Sequence, residues 1–205
     1  MLKRKKLIIF DLDGVLINSL PNMRAALKKT SLSLNIKLNF NLYSKYLGLP
    51  FEQIMKKMGI TKNINIIKFN YSFFSKMSLS KIKIKKKHLE ELNHLKNKYN
   101  FAVFTSKDKL RTQLILKQYK FFKYIVTSDD VDKGKPYPDG LIQILKNTKN
   151  TKNETIYIGD SVYDYKAAKK FGIKYLHAKW GYEKNLKNTF DINEISNFLE
   201  IEKYL

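Results

Sequence analysis

Short uninterrupted apolar runs recur along this chain: Leu7 to Phe10, Phe101 to Thr105, Tyr124 to Thr127, Thr155 to Ile158 and Tyr175 to Ala178. A strand with one face in water alternates apolar and polar residues. A continuous apolar run needs both faces covered, which is the situation in a parallel sheet flanked by helices. The intervening segments supply such helices. Leu89, Leu92, Leu95 and Tyr99 recur at helical spacing before the second run, and Ile192, Ile195 and Leu199 do so near the C-terminus. The pattern predicts an α/β fold with a doubly wound, Rossmann-like parallel-sheet core.

Far more chain separates the first run from the second than one crossover helix requires. A helical stripe at Leu20, Met23, Leu27, Thr30 and Leu34 opens this stretch, and helix-like segments follow around 40–47, 50–58 and 62–77. The expected division is an α/β core of residues 1–17 and 85–205 with an all-helical module, residues 18–84, inserted above the C-terminal edge of the sheet. A chain of 205 residues suits one core with one such insertion and is too short for two independent enzymes.

The chain has no cysteine, which excludes disulfides and thiolate metal sites and leaves oxygen or imidazole as metal donors. Forty Lys and Arg against eighteen Asp and Glu give a formal charge of +22, a balance that raises nucleic-acid or membrane-surface binding. All but Arg4, Arg24 and Arg111 of these cations are lysine, spread along the whole chain. Specific nucleic-acid surfaces favour arginine forks and clustered basic stripes, so the reading is a basic surface with no specific nucleic-acid partner. After Met1 to Lys6 only four apolar residues precede Asp11, too few for a secretory signal, and no stretch approaches the roughly 18 apolar residues of a membrane span. A soluble cytoplasmic protein without a membrane partner is expected.

The first run leads straight into Asp11-Leu12-Asp13-Gly14. In an extended segment residues i and i+2 point the same way, so two carboxylates are expected at one spot. The fourth run ends in Gly159-Asp160-Ser161, with Asp164 four residues beyond Asp160 and therefore on the same face of a helix start. Four aspartates at the ends of two strands repel one another unless a cation is present, and oxygen-only donors suit Mg²⁺. Thr105 and Ser106 end the second run and offer hydroxyls and backbone amides at the same edge. Lys135 lies in the turn-rich stretch Lys133 to Pro138 that follows the third run.

These residues stand in the order of four motifs: Asp11-Leu12-Asp13-Gly14-Val15-Leu16, Thr105, Lys135-Pro136, and Gly159-Asp160-Ser161-Val162-Tyr163-Asp164. Together they resemble the haloacid-dehalogenase superfamily of phosphohydrolases, specifically phosphoglycolate-phosphatase-like members with a helical cap. Tyr46 to Pro50 in the insertion, and Ala167-Ala168 to Gly172 after the last motif, extend the similarity over nearly the whole chain. The resemblance implies that Asp11 attacks phosphorus and forms an aspartyl phosphate, while Asp13 serves as acid and then base. It implies that Thr105 and Lys135 hold the phosphoryl oxygens, that Asp11, Asp160 and the backbone carbonyl of Asp13 bind Mg²⁺, and that Asp164 acts through a water or a neighbouring ligand. Asn18 stands before Ser19 where many relatives carry aspartate.

A small anionic phosphorylated metabolite is therefore the expected substrate. Between Gly14 and Leu89 the only acidic residue is Glu52, while lysines recur from Lys28 to Lys87, so the insertion is expected to form a basic lid that favours compact phosphates with a second anionic or polar group. A β-phosphoglucomutase-like phosphotransferase would use the same aspartates, but such relatives place a histidine early in the insertion, where Met23 stands. A basic nucleic-acid-binding module would leave the acidic motifs unexplained. His88, His94 and His177 read as surface or packing residues, Trp180-Gly181-Tyr182 as a loop near the site's rim, and Phe69, Tyr71, Phe73 and Phe74 as packing within the insertion.

Overall fold

The computed structural model describes residues 5–79 and 82–205. Most of the basic lead, residues 1–4, and two residues of the expected insertion, 80–81, lie outside this description. The described elements are β1 (Leu7–Phe10), α1 (Leu20–Ser33), α2 (Phe40–Ser44), α3 (Phe51–Lys57), α4 (Ile64–Lys76), α5 (Lys86–Leu95), β2 (Asn100–Phe104), α6 (Lys109–Leu116), β3 (Phe122–Val126), α7 (Asp139–Thr148), β4 (Thr155–Gly159), α8 (Val162–Phe171), β5 (Lys174–Ala178) and β6 (Asn193–Ile195).

The strands form one parallel sheet in the order β3-β2-β1-β4-β5-β6. All four residues of β1 are buried because the sheet is covered on both faces. Ile8 and Phe10 join Phe101, Val103, Ile156 and Ile158 on one side, where Leu92, Leu95, Ile115 and Phe198 cover them. Leu7 and Ile9 join Ala102, Phe104 and Tyr157 on the other, beneath Leu141, Ile144, Ala167 and Ala168. The chain runs outward from β1 to β2 and β3, then returns to place β4 on the opposite flank of β1. The carboxyl ends of β1 and β4 therefore border the point where strand order reverses, the place where open α/β sheets bind ligands.

Two readings of the sequence are corrected. The stripe Ile192, Ile195 and Leu199 is not a helix. Residues 193–195 form the edge strand β6 beside β5, and a 3-10 helix follows over Phe198–Tyr204. Ile195 and Phe198 reach the core from these elements while Leu199 faces solvent; three apolar residues at spacings of three and four fit either geometry. The aromatic cluster also divides: Tyr71 is buried and Phe74 partly so, but Phe69 and Phe73 are exposed.

Helices α1 to α4 gather about their own apolar cluster, including Met23, Leu27, Tyr43, Phe51, Ile54 and Tyr71, and α1 lies along α4. Pro21 stands in the first turn of α1, where a missing N–H costs nothing. The Asn39 side chain caps α2 by accepting from the Leu42 N–H. The two chain segments that connect these helices to the sheet meet in an antiparallel bridge between Ile17 and Ile84.

Candidate active site

Asp11 follows β1 directly, and its backbone N–H continues the ladder by donating to the Ile158 carbonyl at 2.8 Å. Its side chain is buried. Gly14 then turns the chain with φ +91°, a conformation that side chains resist, and a Cβ there would fall on the Asp160 carboxylate. This close approach of the β1 loop to the β4 loop brings the acidic groups together. One oxygen from each of Asp11, Asp160 and Asp164 lies within 4.8 Å of the others.

Asp160 is held by the backbone N–H of Tyr182, which donates to Oδ2 at 2.5 Å. Asp164 is the third residue of α8 and closes a capping box with Ser161, the residue that caps the helix. Asp164 also accepts from the Tyr157 hydroxyl at 2.5 Å. Lys135 rises from the turn after β3 and places its ammonium 2.5 Å from Asp11 and 2.6 Å from Asp164, with no part of its side chain exposed.

Burial pushes the Asp11 carboxyl up, against the pull of Lys135 and with Asp164 and Asp13 adding to the rise, to about 7. Burial likewise lifts Asp160 well above the carboxylate range, reinforced by Asp11 and Asp164. Asp164 is held below that range because Lys135, Ser161 and Tyr157 together outweigh its burial. One ammonium shared among three buried carboxylates leaves the cluster short of positive charge.

The fourth sequence-predicted aspartate lines the same cleft and has its own partners. Asp13 is half-buried, accepts from the Ser19 hydroxyl, and pairs through Oδ2 with the Lys107 ammonium at 3.1 Å. The Ser19 N–H donates to the Tyr182 hydroxyl at 2.9 Å, so the 180–182 loop ties the acid loop to Asp160. Trp180 donates to the Val15 carbonyl at 2.9 Å. Thr105 is buried at the end of β2. The Ser106 hydroxyl donates to the Gly48 carbonyl at 2.6 Å, joining the sheet edge to the loop before α3. Gly48 has φ +100°, and a Cβ there would meet the Ser161 hydroxyl at 2.5 Å.

A cleft of about 300 Å³ opens above these groups, lined by Asp11, Asp13, Asp160, Thr105, Ser106 and Lys107 on the sheet side, and by Met23, Tyr43, Leu49, Phe51, Ile54 and Tyr71 on the helical side. Lys135 does not line it. Among the described lysines from Lys28 to Lys87 only Lys45 does, so the expected basic lid turns most of its charge outward. The cations that reach the cleft from the sheet side are Lys107 and Arg111, which sequence reasoning did not single out. Lys107 carried no signal in so lysine-rich a chain. Arg111 is one of three arginines and stands three residues after a helix-capping aspartate, a spacing that marks a local ion pair. His177 is buried and bonded to the Glu183 carbonyl at 2.9 Å, His88 is buried against Trp180 and Phe198, and His94 is exposed.

The family model described as haloacid dehalogenase-like hydrolase matches residues 8–178. A phosphoglycolate phosphatase of Aquifex aeolicus is 29% identical over 191 residues, covering 87% of each chain. Pyrophosphatase PpaX of Bacillus mycoides is 26% identical over 211 residues, covering 95% of each. The crystal structure of CbbY from Rhodobacter sphaeroides in complex with phosphate has a TM-score of 0.83 at 18% identity, over 97% of this chain and 96% of that one.

Proposed function

Because this chain belongs to the haloacid dehalogenase-like hydrolases, we propose that it is a Mg²⁺-dependent phosphatase of small phosphorylated metabolites, with Asp11 as nucleophile. The observation that carries the reading is the buried trio Asp11, Asp160 and Asp164 around Lys135, with the separately held Asp13 on the same cleft. Residues 18–84 serve as the cap over that cleft.

An Asp11 oxygen attacks phosphorus as the bond to the leaving oxygen breaks, giving an aspartyl phosphate. Asp13 delivers a proton to the leaving oxygen and then takes one from the water whose oxygen displaces Asp11. Ser19 and Lys107 fix the Asp13 carboxylate for both transfers. Lys135 holds Asp11 in place and offsets its charge, and Thr105 with the following backbone amides receives phosphoryl oxygens.

The donors fit a hard divalent cation: they are carboxylate oxygens within 4.8 Å, the chain has no thiolate, and among the described residues Lys135 is the one cation in ion-pair contact with them. Asp11, Asp160 and the Asp13 carbonyl would hold Mg²⁺, with Asp164 behind them, and the ion would neutralise charge developing on the phosphoryl group. The relatives named for phosphoglycolate and pyrophosphate support a compact substrate. Free phosphate released from a panel of phosphorylated metabolites, with and without Mg²⁺, tests the proposal, and no release from any ester would sink it.

A further inference from the structure

The cleft wall carries a guanidinium that the reaction steps above do not use. Arg111 lies in the first turn of α6, whose cap Asp108 accepts from the Arg111 backbone N–H at 2.9 Å and pairs with its Nε. Its Nη1 donates to the Ser75 hydroxyl of α4 at 3.2 Å, and its Cζ lies 5.0 Å from the centre of the Tyr71 ring. The residue is only 6% exposed, yet it lines the cleft. Its Nη2 makes no hydrogen bond among the described residues.

Which side of Arg111 bears the neutralising charge decides what it can do. Asp108 lines a neighbouring groove together with Glu52, Asp129 and Asp132, and it does not line the catalytic cleft. Arg111 lines both. The carboxylate therefore stands behind the guanidinium, and the cleft meets its positive side among Tyr43, Tyr71, Phe51 and Ile54. The Tyr43 hydroxyl lies 3.3 Å from that of Tyr71 on the same wall.

We propose that Arg111 is a specificity-determining residue that receives a second anionic group, a carboxylate or a further phosphate, on the end of the substrate remote from the transferred phosphoryl group. This rests on the phosphatase reading and adds the residue that selects among esters. Asp108, Ser75 and Tyr71 fix the guanidinium before substrate arrives, so little rotamer freedom is lost on binding. The aromatic wall excludes water and strengthens a charge-assisted hydrogen bond from Nη2. A substrate without the second anion leaves that donor unpaired in a desolvated wall, which is the basis of discrimination.

The test compares phosphoglycolate with 2-hydroxyethyl phosphate, esters of similar size with and without the second charge. The ratio of their kcat/KM values should fall about 10- to 100-fold in Arg111→Met, chiefly through KM for phosphoglycolate, and recover in part in Arg111→Lys. A ratio that stays at the wild-type value would reduce Arg111 to a strut between α6 and α4. On the wild-type enzyme, which avoids any folding defect, phosphonoacetate and methylenediphosphonate should each compete with p-nitrophenyl phosphate at least tenfold better than ethylphosphonate. The stronger of the two identifies the second anion as carboxylate or phosphate, and equal inhibition by all three overturns the proposal. Failure of the wild-type enzyme to release phosphate from any ester, p-nitrophenyl phosphate included, would instead overturn the phosphatase reading itself.

Discussion

The Lys135 ammonium bridges Asp11 and Asp164, 2.5 Å from one and 2.6 Å from the other, without any contact with solvent. Burial works to lower its pKa, but the two carboxylates outweigh burial and hold it above the ordinary lysine value. Removing one partner of a buried ion pair costs about 3–5 kcal/mol. Lys135→Met should therefore lower the melting temperature by roughly 6–20 °C and stop phosphate release. Calorimetry decides, and an unchanged melting temperature would mean that the carboxylates simply take up protons.

Asp11→Asn should abolish turnover and leave the fold intact, because a carboxamide cannot form the acyl phosphate while its oxygen still accepts from Lys135. More than about one per cent of wild-type rate, taking a loss of order 10² or more as the mark of a missing covalent step, would count against a covalent mechanism. Circular dichroism supplies the control for folding.

Chelation should stop the reaction and Mg²⁺ restore it. Since an ion that binds the folded state alone raises its stability, Mg²⁺ should also raise the melting temperature, and Asp160→Ala should lose that rise. Ca²⁺ should stabilise the fold without supporting turnover. Full activity in excess EDTA removes the metal from the scheme.

Burial lowers the His88 pKa below the ordinary imidazole value of 6.5, with Lys85 and Lys87 adding to the fall and Glu91 opposing it, and its Nδ1 has no hydrogen-bond partner. As pH falls through that value the unfolded chain binds a proton the folded chain resists, so His88 withdraws stability on the acid side. The melting temperature of His88→Phe relative to wild type should rise between pH 7.5 and 5.5. A difference that does not change with pH would show that His88 titrates alike in both states.

The parallel core was legible because apolar runs mark five of its six strands, and the meeting of Asp11 and Asp160 was legible because each directly follows a strand, with Lys135 in the turn-rich stretch beyond β3. The partners of Asp13 were not. Its carboxylate, beyond the end of β1 at Phe10, is held by Ser19 and Lys107, and neither residue is marked by its place in the sequence. Strand β6 was lost because three residues are too few to establish a period. Lys107 was hidden by the lysines around it, since only the depth of a side chain separates it from its exposed neighbours.

The place of β1 at the centre of the sheet bears on how the chain is made. β1 leaves the ribosome before the other described strands, yet its pairing partners are residues 100–103 on one side and 155–158 on the other. Until both have been synthesised its buried ladder has an open edge, and Asp11 stands apart from the aspartates it must meet. Contacts of such long sequence separation form slowly and leave strand edges exposed in the interval. A nascent chain halted between Lys135 and Asp160 would thus hold Asp11 and the ammonium that pairs with it but not the two other aspartates of the buried cluster, which is completed late in synthesis, with the fourth strand and the helix behind it.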